Sequence, residues 1–464
     1  MRLDSTSIVT LLNQKFSAAF FTHTRRPPYM LELLPLASIA VNAGWTQAAL
    51  AVGTVTPFLF HRTVVSRWAK RELPPLSPIP NSSDQPMPFI TLVLPTWNES
   101  LIIEGKLNGI EAQEYPRDRL EIIIIDAASD DNTMQLVRGW MESHRDGDLA
   151  DRIKIIIEEE RKGKSFSINR AFAAATKEAE VLMMSDVDCR LTPGSLMHVG
   201  RRFLDSKIGA LTGRQVLLNP DQNQKTEEEV TYRDTFTLFR IGESVADSTP
   251  IFHGECAAYR RTALAGHKLI EGANADDSQM AVAVRRNGAR AIYDPELVFK
   301  ELAPPDSAAQ NIQKVRRAQG LVRHFWRNRD IWFKPRYGKF GWTMGAQGWM
   351  HIVAPWLMVL GILAGVSSVV TAIPEYGLLQ LISFSTGVPM LLSVLMWTDL
   401  IVLALLISAS LRLPIPLSGV ALTFFVYMLV LLRAQVLILR GRSLHRWQQV
   451  SAVREALAEL ERRE

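Results

Sequence analysis

Leu-Glu-Ile-Ile-Ile-Ile-Asp, residues Leu120 to Asp126, is the stretch that decides the architecture. Four consecutive isoleucines carry no period of two, so both faces of the segment are apolar. That pattern predicts a strand buried on both sides, and the strand stops at a carboxylate. Three other runs read the same way. They are Phe89–Leu94 (FITLVL) ending at Pro95, Arg152–Ile157, and Glu180–Met184 running into Ser185-Asp186. Helical patterns over Ser100–Ala112, Asp131–His144 and Ser165–Thr176 separate them. Alternating strand and helix predicts an α/β fold with a mostly parallel sheet and flanking helices. Ile208–Leu218, Ile251–Tyr259 and Ala289–Tyr293 read as further strands, and Gln222–Asp247 as a long polar helix. Ligands of such sheets bind at the carboxyl ends of the strands. Asp126 and Asp186 stand at two of those ends.

Hydrophobic residues make up 47% of the 464, an ordinary share, but they are unevenly spread. From Trp349 to Leu439 the only charged residues are Glu375, Asp399, Arg412 and Arg433. This predicts about three membrane spans, near Gly348–Thr371, Pro389–Leu411 and Pro414–Leu432. Leu34–Phe60 has no charge and is long enough to cross about 30 Å of hydrocarbon. Its competing reading is a buried soluble helix. His61, Arg62, Arg67, Lys70 and Arg71 follow it and favour a cytoplasmic exit, while Arg25 and Arg26 pull the other way. Asp399 falls near the middle of its span, where a charge is costly. Either it faces a polar channel, or the span is Tyr376–Trp397. The arginine-rich tail after Leu439 is left outside by three spans, against the positive-inside tendency. Two or four crossings repair this.

The net charge is +5. Basic residues gather at His61–Arg71 and Lys314–Lys339, beside apolar spans, which fits an anionic leaflet. No nucleic-acid-binding module is recognisable. Ala309–Phe333 is basic and amphipathic, with Ile312, Val315, Leu321, Val322, Phe325 and Trp326 apolar, and suits the membrane interface. Trp326 and Trp332 read as headgroup anchors in preference to sugar-stacking rings. The two cysteines, Cys189 and Cys256, predict neither a disulfide framework nor a zinc site and fit a reducing compartment. No signal peptide is expected.

Four polar pieces carry chemistry. Pro95-Thr96-Trp97-Asn98-Glu99 closes the first strand and opens a helix N-terminus, either a nucleotide cradle or a capped turn. Asp126 can accept a hydrogen bond from the imide N–H of uracil, with Ser129 to Asn132 capping the next helix; capping alone is the other reading. Asp186 and Asp188, one residue apart after a strand, can hold one Mg2+ or Mn2+ against a diphosphate. In Asp276-Asp277 one carboxylate can have a raised pKa and deprotonate an acceptor hydroxyl, and the pair can equally start a helix. Arg161, Lys162 and Lys164 follow the third strand, where a loop can meet a diphosphate. Gln313, Arg316 and Arg317 lie on the amphipathic helix and face either the site or lipid.

In this order and spacing the pieces resemble the family 2 glycosyltransferases, in the membrane-attached branch of cellulose, chitin, hyaluronan and poly-N-acetylglucosamine synthases. The resemblance rests on Pro95–Glu99, Asp126 with Ser129 and Asp131, Lys164, Asp186-Val187-Asp188, Gly254 with Tyr259-Arg260-Arg261, Asp276-Asp277, and Gln313 with Arg316-Arg317 and Gly320. It implies a GT-A fold and an inverting transfer from a nucleotide-sugar donor, expected to be a UDP-sugar. It also implies roles. Pro95, Thr96, Glu99, Asp126, Lys164 and Asp186 would bind the nucleotide. Asp188, with Asp186, would hold the metal, and Asp277 would be the base. Gln313, Arg316 and Arg317 would lie on the acceptor and diphosphate side.

Two departures stand out. Asp276-Asp277 replaces the usual Glu-Asp. Arg317 stands where the polysaccharide synthases have a tryptophan that lines the acceptor site. The loss of that ring favours a single transfer to a membrane lipid or lipid-linked glycan over processive synthesis and export. A catalytically inactive membrane scaffold is the reading from another class, and the intact carboxylates speak against it.

The expected organisation is an N-terminal membrane region (1–71), a linker (72–88), a cytosolic catalytic domain (89–305), an interfacial region (306–347), a membrane region (348–439) and a charged tail (440–464). The expected location is a cytoplasmic membrane, with several crossings and the catalytic domain on the cytoplasmic side.

Overall fold

The computed structural model of the chain describes residues 34–80, 86–219, 236–302, 307–443 and 451–463. Part of the expected helix Gln222–Asp247 lies outside these residues, and 236–246 is helical. The chain forms two compact units. One holds residues up to Leu50 with Leu360–Ala404, and the other holds Ala51–Val359 with Leu405–Glu464.

The larger unit contains an eight-stranded sheet ordered β3-β2-β1-β4-β7-β6-β8-β5. Its strands are β1 Ile90–Thr96, β2 Leu120–Asp126, β3 Ile153–Ile157, β4 Val181–Ser185, β5 Arg190–Leu191, β6 Ile208–Leu217, β7 Cys256–Arg260 and β8 Arg290–Glu301. β3, β2, β1 and β4 run parallel, as do β6 and β8. β7 is antiparallel to β4 and β6, and β5 to β8.

The isoleucine run of β2 has a simple cause. Ile122 and Ile124 point into one apolar cluster, with Leu92, Leu94, Ile103 and Leu107. Ile123 and Ile125 point into another, with Val93, Ile168 and Ala171. Alternate side chains leave a strand on opposite faces, and here helices cover both.

Thr96 pairs in register with Asp126, and Asp126 with Ile157, so the carboxyl ends form one rim. The expected strand Ile251–Tyr259 is shorter, because His253 to Cys256 make a turn in which the Cys256 N–H donates to the His253 carbonyl at 3.3 Å. Cys256 then pairs with Ser185. The antiparallel entry of β7 thus brings Gly254 and Glu255 to the rim where β4 delivers Asp186.

Four helices among the described residues are long and apolar enough to cross a membrane: Leu36–Trp68, Pro335–Tyr376, Met390–Ser410 and Ser418–Leu439. In the smaller unit Gln47 Nε2 donates to both carboxylate oxygens of Asp399, at 2.8 and 2.9 Å. Asp399 lies within the helix Met390–Ser410, not beyond the end of a Tyr376–Trp397 span, and a side-chain amide satisfies its oxygens.

The amphipathic helix is Ser307–Arg327. Ile312 and Trp326 are exposed on it, but Val315, Val322 and Phe325 are buried. Val315, Ala318 and Val322 pack with Leu431 and Ala434 of the helix Ser418–Leu439. Trp332 packs beside Phe325, Ile331 and Phe340 and is not a free headgroup anchor. Much of the expected lipid-facing stripe is therefore covered by protein.

Candidate active site

The loops after β1 and β2 are stitched together by short polar side chains. Asp126 Oδ2 accepts from the Ser129 N–H at 3.0 Å, and Ser129 Oγ accepts from the Asn98 N–H at 2.9 Å. Thr133 Oγ1 accepts from the Glu99 N–H at 2.8 Å, and Asp131 Oδ2 from the Ser100 N–H at 3.1 Å. Asn132 makes no capping bond to the helix Thr133–Ser143, but Asp131 Oδ1 accepts from the N–H of Thr133, its first residue, at 3.0 Å, so the expected cap is supplied by Asp131. Backbone donors of the neighbouring loop use the same polar run. Asn98 (φ 54°) and Ala128 (φ 57°) hold left-handed conformations in these two loops. Non-glycine residues tolerate that strain only where their surroundings enforce it. The Arg161 guanidinium, from the loop after β3, lies 3.4 Å from the centre of the Trp97 ring. Pro95 and Thr96 end β1 at the same rim, with Thr96 buried.

Lys164 is the first residue of the helix Lys164–Ala174, reached through Gly163 at φ 105°. Its Nζ donates to Asp186 Oδ1 at 2.6 Å and Oδ2 at 2.8 Å. Asp186 is nonetheless pushed up to about 6, by its removal from water first, with Asp188 and Glu255 adding to it against Lys164. Lys164 is held above its ordinary value: removal from water lowers it, but Asp186, Asp276 and Glu255 outweigh that.

Asp277 enters from the far side. Ala275 (φ 61°) is the N-cap, so Asp276 and Asp277 form the first turn of the helix Asp276–Arg286. The Tyr259 hydroxyl donates to the Asp277 carbonyl at 3.1 Å. Burial first, then Asp276, pushes Asp277 up to about 8. Among the described residues Asp276 Oδ2 has no hydrogen-bond partner, although it is buried. Gly254 separates the two halves. A Cβ there would stand 3.6 Å from Lys164 Nζ and 3.7 Å from Asp277 Cβ. Lys164, which pairs with Asp186, and Asp277 thus both stand within van der Waals reach of one missing methyl group.

The amphipathic helix closes one side. Asn274 Nδ2 donates to the Arg316 carbonyl at 3.3 Å, and Arg317 pairs with Glu255 at 3.3 Å. Burial first, then Arg317, lowers Arg316 from its ordinary value, opposed by Asp276, Asp186 and Glu255. Gln313 is half-buried about one turn earlier.

Two cations at this site escape motif reading. Lys106, buried in the helix Ile103–Glu111, donates to Ser185 Oγ at 2.8 Å and to the Cys189 carbonyl at 2.7 Å. It grips both ends of the Asp186-Val187-Asp188 turn. Arg454, in the C-terminal helix Ser451–Glu461, reaches Glu99 and Asp188. Lys106 sits at an apolar helical position, which was its only sequence signal. Arg454 gave none.

Lys106→Met keeps the packing and removes the grip. It leaves stability within about 1 kcal/mol, because the lost hydrogen bonds are offset by removal of a buried amine. It lowers turnover by about 10–10²-fold through a misplaced turn. Steady-state rates and thermal melting of the same sample check this.

Carboxylate oxygen donors suit Mg2+ or Mn2+, and Asp276 Oδ2, buried without a hydrogen-bond partner among the described residues, adds one more such oxygen. Hard ions of this kind take only one or two carboxylates and complete their shell with water and substrate phosphate. Among the described residues the group of three or more His, Cys, Asp or Glu side chains whose ligand atoms converge is His198, Asp294 and Glu296, and it lies apart from Asp186 and Asp188 in sequence. There Arg202 and His198 already engage Asp294.

The chain matches the family model described as glycosyl transferase family 2 over residues 91–267 and that of glycosyl transferase family group 2 over residues 181–434. It is 27% identical to glycosyltransferase AglE of Haloferax volcanii over 160 residues, 34% of this chain and 49% of that protein. It is 23% identical to the poly-beta-1,6-N-acetyl-D-glucosamine synthase of Staphylococcus epidermidis over 292 residues, 61% of this chain and 68% of that one. The chain thus spans about half the length of the first relative. Among solved structures it resembles the mannosyltransferase PcManGT from Pyrobaculum calidifontis in complex with GDP-Man and Mn2+. That match has a TM-score of 0.67 and 28% identity, and it covers 86% of this chain and all of the other. With a GT-A sheet, four apolar helices and a family model that spans more than half its length, the chain belongs to the family 2 glycosyltransferases.

Proposed function

We propose that the protein is an inverting, metal-dependent glycosyltransferase that acts at a membrane on a lipid-linked or glycan acceptor. The observation that carries this reading is the approach of both Lys164, which pairs with Asp186, and Asp277 to Gly254. Asp188, with Asp186, would hold Mg2+ or Mn2+, which when bound neutralises charge on the leaving nucleoside diphosphate. Lys164, Arg316 and Arg161 supply fixed positive charge toward the same diphosphate. Asp126 and the Pro95–Glu99 loop cradle the nucleoside. Asp277 removes the acceptor hydroxyl proton as its oxygen attacks the anomeric carbon from the face opposite the diphosphate. Its raised pKa keeps it a competent base near neutral pH.

The replacement of an acceptor-site tryptophan by Arg317, itself paired with Glu255, favours single transfer over processive synthesis. The catalytic domain is assigned to the cytoplasmic side, where nucleotide sugars are at hand and the basic segments face anionic lipid. The packing of the C-terminal helix Ser451–Glu461 on the catalytic domain favours an even number of crossings between that domain and the tail, over the three that leave the tail outside.

The test is a screen of UDP- and GDP-sugars for hydrolysis or transfer by purified protein, with Mn2+, Mg2+ or EDTA. Turnover of one donor that EDTA abolishes supports the reading. Hydrolysis absent with every donor and metal favours the scaffold.

A further inference from the structure

The C-terminal helix Ser451–Glu461 is built into the domain that carries the site. Val453, Leu457 and Ala458 are buried in the apolar cluster that also holds Ile102, Ile103 and Leu107. Gly105 is the contact point on the facing helix, since a Cβ there would stand 2.2 Å from Glu461 Oε2. Glu461 also pairs with Arg190, which donates to the Val187 carbonyl at 2.6 Å, inside the Asp186–Asp188 turn.

At the other end of the helix Arg454 is almost fully buried. Its Nε and Nη2 donate to the two oxygens of Glu99, at 3.1 and 3.0 Å. The same Nη2 stands 3.1 Å from Asp188 Oδ2. Glu99 is buried as well, so it anchors the guanidinium through a two-point fork that fixes its plane. Asp188 is the outer partner, with its side chain 23% exposed and Oδ1 outside this ion pair.

We propose that Arg454 is a positioning residue for the donor site: the C-terminal helix delivers a guanidinium, anchored by Glu99, that sets the orientation of the Asp188 carboxylate for a divalent cation. This rests on the reading of Asp188 as the metal ligand. One oxygen is held by the guanidinium and the other lies outside that ion pair, an arrangement in which a hydrogen-bonded outer partner aligns a ligating carboxylate. The donor site is then complete only with residues more than 350 positions apart in the chain, as the separation of 355 between Glu99 and Arg454 shows.

The experiment uses the full chain in nanodiscs. Mn2+ binding is measured by loss of the free-ion paramagnetic resonance signal, in the presence of UDP and of GDP in turn. Wild type is compared with Arg454→Ala, Arg454→Lys and the double variant Glu99→Gln/Arg454→Met. The double variant removes the buried pair without leaving a lone charge, so it folds even where Arg454→Ala does not. The expected result is a rise in half-saturating Mn2+ of about 10–100-fold for Arg454→Ala and for the double variant. Arg454→Lys falls between, since an ammonium keeps the charge and loses the fork. Wild-type binding in the double variant would mean that Arg454 serves only to neutralise Glu99, and would overturn the proposal. Tighter Mn2+ binding in Arg454→Ala would mean that the guanidinium competes with the ion, and would overturn it too. Failure of the underlying metal reading shows separately, as wild type that binds no Mn2+ with either nucleotide.

Discussion

Asp277→Asn abolishes transfer to a hydroxyl acceptor, with a loss of about 10²–10⁴-fold in turnover, the usual contribution of a positioned base. Donor affinity stays near wild type, because the side chain is replaced by an isostere on the acceptor side of Gly254. The pH profile carries the same signature. With Asp277 pushed up to about 8, kcat/KM of wild type rises about tenfold per pH unit up to that point and then levels. Stability moves the other way. The folded state binds this proton more tightly than the unfolded chain, so the associated stability is present below about pH 4 and is lost as pH rises through about 8. Asparagine never ionises. The variant therefore melts above wild type at pH 8, by on the order of 1–3 kcal/mol, and the gap closes in acid. Turnover near wild type in Asp277→Asn removes the base role and points to an acceptor that needs no deprotonation, such as a phosphate.

Asp188→Ala removes the metal-dependent part of donor binding and lowers turnover by about 10²-fold or more, the equivalent of several kcal/mol of charge stabilisation. The fold persists, because Arg454 keeps its fork on Glu99 and the Asp186–Asp188 turn keeps its grip from Lys106. Calorimetric titration with the nucleoside diphosphate, with and without Mn2+, checks this. Wild type gains affinity from the ion and the variant does not. Equal gains in both would exclude Asp188 as the ligand.

Much of this was legible in the residues. The β2 run Leu120–Asp126 announces a doubly covered strand because four isoleucines leave no polar face. Asp126 and Asp186 were placed at a common rim by the rule that parallel strands end together, and register bears that out for Asp126. The meeting of Asp277 with that rim was not a matter of local pattern. It depends on the antiparallel β7, which brings Gly254 beside both Lys164 and Asp277, and strand direction in a mixed sheet is not written in periodicity. The amphipathic helix shows the opposite failure. Val315 and Val322 mark an apolar stripe, but periodicity does not say whether lipid or protein covers it, and here Leu431 and Ala434 do. Arg454 was unreadable for a third reason. An arginine in a charged tail looks solvated until the buried carboxylate it serves is known.

An experimental structure with Mn2+ and the nucleotide sugar selected by the donor screen tests the central claim most directly. The predicted result is an ion within coordination distance of Asp188 and bridging the diphosphate, with the Asp277 carboxylate facing the anomeric carbon from the side opposite the leaving group. A donor whose anomeric carbon lies away from Asp277, or an ion that avoids Asp188, would contradict it.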